Sequence, residues 1–349
     1  MFFASDNSGP VPQAVLDTLA EANAGHVMGY GADPMMDEVR QRLRDLFEAP
    51  EAAVYLVSTG TAANALALAT LTEPFDTIFC TPVAHIEEDE CNAPEFYTGG
   101  AKLTLVDGPD RMTPDTLARA IESQGNRGVH GPRRGAVSIT QVTEMGNVYT
   151  LDALKALCKV AASYDLPIHL DGARFANAIV ALECTPAEMT WKLGVDVAVF
   201  GGTKNGLMGV EAVIFFDPAK AWEFELRRKR GGHLFSKHRY LSAQMAGYLR
   251  NDLWLDMARR ANAKAAHLLA GMDGCPQVQI VNDVTANMIF FEAPRALHQT
   301  LKAAGATYAL SGGSLETGDA EAMLRGRLVC DWSIADSQLD RFVSLLPKK

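Results

Sequence analysis

Short apolar segments alternate with amphipathic stretches along the first part of the chain. The apolar segments have strand length and span residues 54–57, 77–80, 103–106, 136–140, 168–170 and 195–200. Between them lie stretches such as 151–164, whose residues Leu154, Leu157, Cys158 and Ala161 recur at helical spacing. Strands alternating with helices predict an α/β fold with a mostly parallel sheet flanked by helices.

A further apolar segment, residues 211–216, follows the last of these strands after only a short glycine-rich link. The link is too short for a crossover helix, and a strand connected in this way pairs antiparallel with its predecessor. The sequence therefore predicts a mixed sheet in which one strand is reversed.

The C-terminal part of the chain has a different pattern. A long helical stretch and then short strands around one more helix span residues 252–272, 278–281, 287–291, 293–304 and 328–330. This pattern predicts a smaller α+β domain. We expect a large domain over residues 1–250 and a small one over residues 251–349, with residues near the N-terminus packing against the small domain.

Composition and charge narrow the class of protein. The chain has 349 residues, of which 48% are hydrophobic and 21% charged, as expected of a globular protein with a sizeable core. Its formal net charge of −10 argues against nucleic acid as a partner, because phosphate backbones are bound by an excess of Lys and Arg. Since no segment resembles a signal peptide or a membrane span, we expect a cytoplasmic protein without a membrane partner.

The six cysteines form neither a disulfide nor a metal-binding pattern. None belongs to a C-x-x-C pair, and most lie in apolar stretches where a free thiol packs as a small hydrophobic group. They are Cys80, Cys91, Cys158, Cys184, Cys275 and Cys330. We therefore expect no disulfide framework and no metal site.

Two ionisable residues lie at the ends of predicted strands. Lys204 follows the strand at 195–200, and Asp171 directly follows the strand at 168–170. A lysine and a buried carboxylate in these places suit pyridoxal 5'-phosphate, because the lysine binds this cofactor covalently and the carboxylate keeps its ring nitrogen protonated. The pair predicts an enzyme that breaks bonds at the α-carbon of an amino acid.

The segment 58–64 has the features of an anion-binding turn between a strand and a helix. Gly60 lets the backbone approach a ligand, Thr61 supplies a hydroxyl, and the first helical turn presents unpaired N–H groups. We expect this turn to hold the cofactor phosphate; simple N-capping by Ser58 or Thr59 is the alternative. No G-x-G-x-x-G or Walker lysine motif occurs in the sequence, which favours a monophosphate over a nucleotide.

Further polar residues are expected at the same edge of the sheet, where ligands bind in open α/β folds. Thr203 precedes the lysine and is expected to add a hydroxyl to the phosphate site. Arg174 suits a carboxylate by bidentate geometry, a local salt bridge with Asp171 being the alternative. His85 can stack on a pyridine ring or relay protons, and His130 is a weaker candidate.

These residues resemble those of the threonine aldolases, which have the aspartate-aminotransferase fold, type I of the pyridoxal-phosphate enzymes. The resemblance covers nearly the whole chain and includes features of the low-specificity L-threonine aldolase and phenylserine aldolase branch. The similar segments are residues 30–34, 60–61, 85–87, 141–144, 169–174, 201–206 and 228–237. The segment 141–144 reads Gln-Val-Thr-Glu where many relatives carry a histidine, so a proton-transfer role for a histidine there is not supported.

The resemblance implies a homotetramer or homodimer that binds pyridoxal phosphate. Lys204 would hold the cofactor, His85 would stack on its ring and Asp171 would pair with the ring nitrogen. Arg174 is also expected near the cofactor. Tyr30 would approach the phosphate, with the neighbouring subunit as a candidate source.

The resemblance also implies how an amino-acid substrate is bound. Its carboxylate would be gripped by Ser5, Arg174 and Arg327. The reaction would be retro-aldol cleavage of L-3-hydroxy-α-amino acids, such as threonine, allo-threonine and phenylserine, to glycine and an aldehyde. The general base is left open between His85, His130 and a water that they orient.

Other activities would use the same central residues. A β-eliminating lyase or an aminotransferase of this fold also needs a lysine and a carboxylate in the places of Lys204 and Asp171. A non-catalytic relative of the fold is a more remote alternative. The reaction products distinguish these activities.

Overall fold

A computed structural model describes residues 1–347 of the chain, and its centre is a seven-stranded sheet. The strands are β1 (Ala53–Val57), β2 (Asp76–Cys80), β3 (Lys102–Leu105), β4 (Arg133–Thr140), β5 (Ile168–Asp171), β6 (Val197–Gly201) and β7 (Glu211–Phe215). Their spatial order is β1-β7-β6-β5-β4-β2-β3. Strand β7 is antiparallel to both neighbours and the other pairs are parallel, so the prediction of one reversed strand is confirmed.

Helices cover both faces of this sheet. They are α1 (Gln13–Ala22), α2 (Pro34–Leu46), α3 (Gly60–Leu71), α4 (His85–Glu88), α5 (Ala93–Thr98), α6 (Pro114–Ser123), α7 (Leu151–Ala162), α8 (Phe175–Leu182), α9 (Pro186–Met189), α10 (Ala221–Arg230) and α11 (Arg239–Leu249). Because both faces are covered, strands β1, β2, β5, β6 and β7 are buried along their whole length. This explains why they appear in the sequence as apolar runs and not as alternating patterns.

A smaller antiparallel sheet follows, in the order β10-β11-β9-β8. Its elements are α12 (Leu253–Met272), β8 (Gln279–Ile280), β9 (Met288–Pro294), α13 (Arg295–Ala303), β10 (Ala309–Ser311), β11 (Met323–Val329) and α14 (Asp336–Ser344). The N-terminal segment joins it: Phe3 donates its N–H to the Thr307 carbonyl at 2.7 Å and accepts from Val329 at 2.9 Å. The N-terminal segment therefore packs against the smaller sheet.

Three hydrophobic clusters pack around the large sheet, the first of them by far the largest, and a second large core belongs to the smaller sheet. The second core consists of Phe3 and of residues between 265 and 346. Helix α12 contributes Trp254 to the first core and Leu268 to the second. The division at residue 250 stays a prediction, because this helix is shared.

The bounds of the smaller elements differ from the predicted ones. Strand β11 begins before the predicted segment 328–330. The prediction missed its first residues because they alternate between buried and more exposed positions and do not form an apolar run. Strand β10 has only three residues and was not predicted. Among the helices described, none has both the length and the apolar character that crossing a membrane requires.

Candidate active site

A cavity of about 320 Å³ opens at the edge of the large sheet where the parallel strands end. Strands β1, β5 and β6 end at this edge, and the reversed β7 begins there. Two larger surface hollows lie elsewhere and contain none of the predicted site residues. The cavity brings together six of the predicted residues: Gly60, Thr61, His85, Asp171, Thr203 and Lys204.

The turn between β1 and α3 forms one end of the cavity. The hydroxyl of Thr59 accepts the N–H of Ala62 at 3.1 Å, so Thr59, and not Ser58, caps the helix. The N–H groups of Gly60 and Thr61 belong to the first turn and have no carbonyl partner within the helix. A Cβ built on Gly60 would meet no atom within 4 Å, so glycine leaves this space open. Such a helix start suits a phosphate.

Lys204 lies in a tight turn after β6 and lines the cavity. Asn205 fixes the turn, because its side-chain amide donates to the Tyr248 hydroxyl at 2.7 Å and to the Trp254 carbonyl at 2.8 Å. Gly206 has a φ of 113°, a conformation that favours glycine. Within residues 1–347, no ion pair engages the amine of Lys204. The amine is therefore available to a cofactor aldehyde.

Asp171 ends β5 and is buried at the cavity wall. Its Oδ1 accepts the N–H of Ala173 at 2.9 Å, and its Oδ2 accepts the side-chain amide of Asn64, also at 2.9 Å. The same amide of Asn64 donates to Glu90 Oε1 at 2.8 Å. Both carboxylate oxygens of Asp171 thus act as acceptors, which suits a protonated ring nitrogen.

His85 begins α4 and also lines the cavity. Its Nδ1 lies 2.8 Å from Oε1 of Glu90, whose side chain is fully buried. This hydrogen bond raises the pKa of His85 although burial opposes the shift, and burial raises the pKa of Glu90 itself. Because Nδ1 is occupied, Nε2 is the ring nitrogen that remains for a ligand.

Thr203 lines the cavity but has protein partners of its own. Its hydroxyl accepts the N–H of Val210 at 3.1 Å and hydrogen-bonds with the carboxyl of Glu211. The predicted contact of Thr203 with the phosphate stays a prediction.

The N-terminal segment gathers the three residues predicted to bind the substrate carboxylate. Arg327 donates through Nη2 to the carbonyl of Ala4 at 3.3 Å. Its Nε is buried and has no hydrogen-bond partner among the described residues. Ser5 follows Ala4, and Asp6, the next residue, binds Arg174. A buried donor without a partner suits a carboxylate ligand.

Arg174 is engaged by a residue that the sequence did not indicate. Its Nε and Nη2 donate to Asp6 at 2.7 and 3.1 Å in a buried ion pair. It therefore does not pair with Asp171 as the alternative proposed, and it is not one of the residues that line the cavity. A direct contact with the cofactor is not supported. Its Nη1 is the group left for a substrate carboxylate.

Five predicted residues do not line the cavity: Ser5, Arg174 and Arg327, described above, and His130 and Tyr30. His130 is exposed in the 3-10 helix Gly128–His130, just before β4 and hence at the opposite edge of the sheet. This position does not support the predicted catalytic role of His130. Tyr30 is 54% exposed, and its ring lies 5.0 Å from Nζ of Lys229. Its predicted contact with a neighbouring subunit stays a prediction.

Several site residues were missed from the sequence. Asn64 lies one helical turn after Gly60, and this spacing places both residues on one side of α3. The spacing could have indicated that Asn64 belongs to the site. Glu90 is close to His85 in sequence, but nothing distinguished it from its acidic neighbours. Asp6 is 168 residues from its partner Arg174, and sequence spacing contains no signal for such a pair.

The observed residues fit pyridoxal 5'-phosphate, because an open helix start, an available amine and a buried carboxylate surround one cavity. Fold and site together define a pyridoxal-phosphate-dependent enzyme of fold type I. Within that class, the chain belongs to the beta-eliminating lyase family, whose model matches residues 3–294.

Known proteins narrow the class of reaction. The chain is 39% identical over 345 residues to a low specificity L-threonine aldolase of Pseudomonas aeruginosa, covering 97% of this chain and 94% of the relative. A protein of the same name from Pseudomonas sp. is 38% identical over 343 residues, with the same coverage. The chain is a carbon–carbon lyase.

Solved structures agree with the fold. The threonine aldolase of Leishmania major superposes with a TM-score of 0.90 at 25% identity, covering 99% of this chain and 98% of that one. The serine palmitoyltransferase of Sphingomonas wittichii gives 0.68 at 16% identity, covering 99% and 86%, and shows a shared fold alone.

Proposed function

We propose that this enzyme cleaves L-3-hydroxy-α-amino acids to glycine and an aldehyde by retro-aldol cleavage, with threonine, allo-threonine and phenylserine-like compounds as substrates. The observation that carries the proposal is that Lys204, Asp171 and His85 surround one cavity beside the N-terminal segment that binds Arg174 and Arg327. The name of the Pseudomonas relatives supports this choice of reaction.

Four parts of the chain would hold the cofactor. Lys204 would bind its aldehyde, the start of α3 its phosphate and Asp171 its ring nitrogen, while His85 would lie against its ring. When bound, the cofactor accepts the electron pair that is released at the α-carbon of the substrate. Asn64 supports this arrangement because it fixes one oxygen of Asp171.

The substrate carboxylate is assigned to Ser5, Arg174 and Arg327. Arg327 offers its buried Nε, and Arg174 offers Nη1 from a guanidinium that Asp6 holds in place. Fixing the carboxylate fixes rotation about the bond between the α-carbon and the amino nitrogen, and so selects which of the remaining α-carbon bonds is aligned for cleavage.

His85 is the proposed general base. Its Nδ1 is engaged by Glu90, so Nε2 is the atom that would take the proton of the β-hydroxyl group. Loss of this proton lets the bond between the α- and β-carbons break, and the β-carbon leaves as the aldehyde. The exposed position of His130 supports the choice of His85 over His130.

A β-eliminating lyase is the second candidate, because the matching family carries that description. The two reactions differ in their products: glycine with an aldehyde, or ammonia with a keto acid. Purified enzyme is to be assayed with L and D, threo and erythro forms of threonine and phenylserine, with separate detection of glycine, aldehyde and ammonia. Ammonia and keto acid without glycine would reject the aldolase reaction.

We also propose that the enzyme is a homotetramer or homodimer in which Tyr30 approaches the phosphate bound to a neighbouring subunit. Tyr30, Met28 and Phe235 are exposed apolar side chains, and the segments that carry them are joined by the Tyr30 N–H and the Ser236 carbonyl at 3.2 Å. Light scattering is expected to show an oligomer. A monomer with full activity would contradict this assignment.

A cytoplasmic location is proposed as well. The six cysteines are free thiols, including the exposed Cys91, and free thiols persist in reducing compartments. A fluorescent fusion of the full chain would test the location, and fluorescence outside the cytoplasm would contradict it.

A further inference from the structure

Glu211 is the first residue of β7 and lies between the turn at the start of α3 and the turn that contains Lys204. Its backbone pairs with Val57 of β1 on one side and with Gly201 of β6 on the other. Val57 directly precedes the turn at the start of α3, and Gly201 precedes the turn that contains Lys204. Because β7 is reversed, its first residue lies at the edge where its neighbours end.

The side chain of Glu211 faces the cavity from this position. It is 5% exposed and lines the cavity together with Thr59, Gly60 and Thr61. Its Oε2 accepts the N–H of Gly202 at 2.7 Å. No cation lies within ion-pair distance of its carboxylate among the described residues. A buried carboxyl group without a cation is unusual, since burial penalises its charged form.

The groups around Glu211 do not supply a full counter-charge. Burial raises its pKa to about 7, while hydrogen bonds from Thr203 and Gly202 and the charge of Lys204 act in the opposite direction. On α11, burial raises the pKa of Tyr248, and the charge of Glu211 adds to that shift.

Few other ionisable groups surround the cavity near Glu211. His85 and Asp171 line the same cavity. Helix α3, which packs against β7, has no charged side chain. On α10, the guanidinium of Arg228 donates to the Leu56 carbonyl of β1. An anion placed at the start of α3 would therefore meet Glu211 with little to separate the two charges.

We propose that Glu211 is a binding residue for the cofactor phosphate that acts in its protonated form, so that its carboxylic acid donates a hydrogen bond to a phosphate oxygen. When the phosphate binds to a site whose carboxyl group is ionised, that group takes up one proton from solvent, and no other covalent bond changes. The carboxyl group thereby serves as a hydrogen-bond donor that is lost at alkaline pH.

The sign of the pH dependence follows from the charges. The nearby phosphate disfavours the ionised carboxylate and raises the pKa of Glu211 further, so the bound state holds more protons than the free state. Cofactor affinity must then fall as pH rises above the pKa of the free site, over a window of roughly pH 7 to 9. Substitution by glutamine keeps a donor and removes the ionisation.

Phosphorus NMR of the holoenzyme tests the proposal. In the wild type, the resonance of the bound phosphate is expected to shift with an inflection inside this window. Glu211→Gln should lack the inflection. Glu211→Ala should lack it as well, and it serves as the second variant should the glutamine amide disturb the turn. The exposed Glu51→Gln is the matched control and should behave as wild type. The same inflection in all four proteins would overturn the proposal.

Retention of the cofactor gives a second measurement. During dialysis of the wild-type holoenzyme, loss of cofactor is expected to be about tenfold faster at the alkaline end of the window than at its neutral end. Dividing each rate by that of Glu211→Gln removes the pH dependence of the covalent link to Lys204. A ratio that does not change with pH would contradict the proposal.

The inference rests on the proposed placement of the phosphate at the start of α3, and Thr61→Ala separates the two. If Thr61→Ala alters neither retention nor the phosphorus resonance, the placement itself is wrong. If Thr61→Ala weakens retention but Glu211→Gln keeps the inflection, only the role of Glu211 is wrong.

Discussion

Asp6 and Arg174 form a buried bidentate ion pair, with Nε to Oδ2 at 2.7 Å and Nη2 to Oδ1 at 3.1 Å. Arg174 follows β5, whereas Asp6 belongs to the N-terminal segment that packs on the smaller sheet. Asn287, just before β9, donates to the same carboxylate at 3.0 Å. One carboxylate, that of the residue after Ser5, thus connects the edge of the large sheet with the smaller sheet.

Substitution of Asp6 is expected to destabilise the fold. Asp6→Asn leaves the buried guanidinium of Arg174 without its counter-charge, which costs about 3 kcal/mol or more in the free energy of unfolding. Urea denaturation measures the loss. Asp37→Asn removes a surface ion pair with Arg40 and should change stability by less than about 1 kcal/mol. Equal effects of the two substitutions would contradict a structural role for the buried pair.

The same ion pair predicts a pH dependence. Burial opposes the ionisation of Asp6, but the charges of Arg174 and Lys204 and the hydrogen bonds prevail and hold its pKa below the usual value. The stabilisation is therefore present above the ordinary carboxyl range and is lost as pH falls through the lowered pKa. Subtracting the stability of Asp6→Asn from that of the wild type at each pH should show this loss. A difference that is constant into acid would argue against it.

Lys204→Ala should abolish the absorption of the bound cofactor near the edge of the visible range. The amine is the only part of the proposed site that can bind an aldehyde covalently, so activity is expected to fall about a thousandfold or more. Lys155→Ala, at an exposed position of α7, should retain both spectrum and activity. An unchanged band in Lys204→Ala would show that another residue binds the cofactor.

Arg327→Ala should raise the KM for the amino acid by about ten- to a hundredfold, the value of a charged hydrogen bond to a carboxylate. Affinity for the cofactor should change far less, because Arg327 is assigned to the substrate. Arg325 lies on the same strand and pairs with Glu292 at the surface, so Arg325→Ala is the matched control. If Arg327→Ala weakens substrate and cofactor equally, the assignment fails.

Glu90→Gln should move the acid limb of the pH profile of kcat/KM to lower pH. The hydrogen bond that His85 donates to Glu90 raises the pKa of His85, so without the carboxylate the imidazole becomes neutral, and competent as a base, at lower pH. Glu88 is exposed at the end of α4, the helix that His85 begins, and Glu88→Gln should leave the profile unchanged. A loss of activity that is equal at every pH would indicate a purely structural role for Glu90.

The edge of the sheet that forms the site could be predicted from local sequence. The turn at Gly60 and Thr61 follows β1, Asp171 ends β5 and Lys204 follows β6, and carboxyl ends of parallel strands share one edge. The same reasoning could have excluded His130 from the cavity of its own chain. It precedes β4, so it lies at the amino edge.

The sequence by itself determined the strands of the large sheet and the places of the main chemical groups, because a buried parallel sheet requires apolar runs and the residues that end them must lie at its carboxyl edge. Only the tertiary structure decided which groups restrain one another. Asp6 and Arg174, Asn64 and Asp171, and Glu211 and the turn at the start of α3 are pairs that lie far apart in sequence. Their contacts depend on strand order, register and packing of the N-terminal segment, which no local pattern of residues specifies.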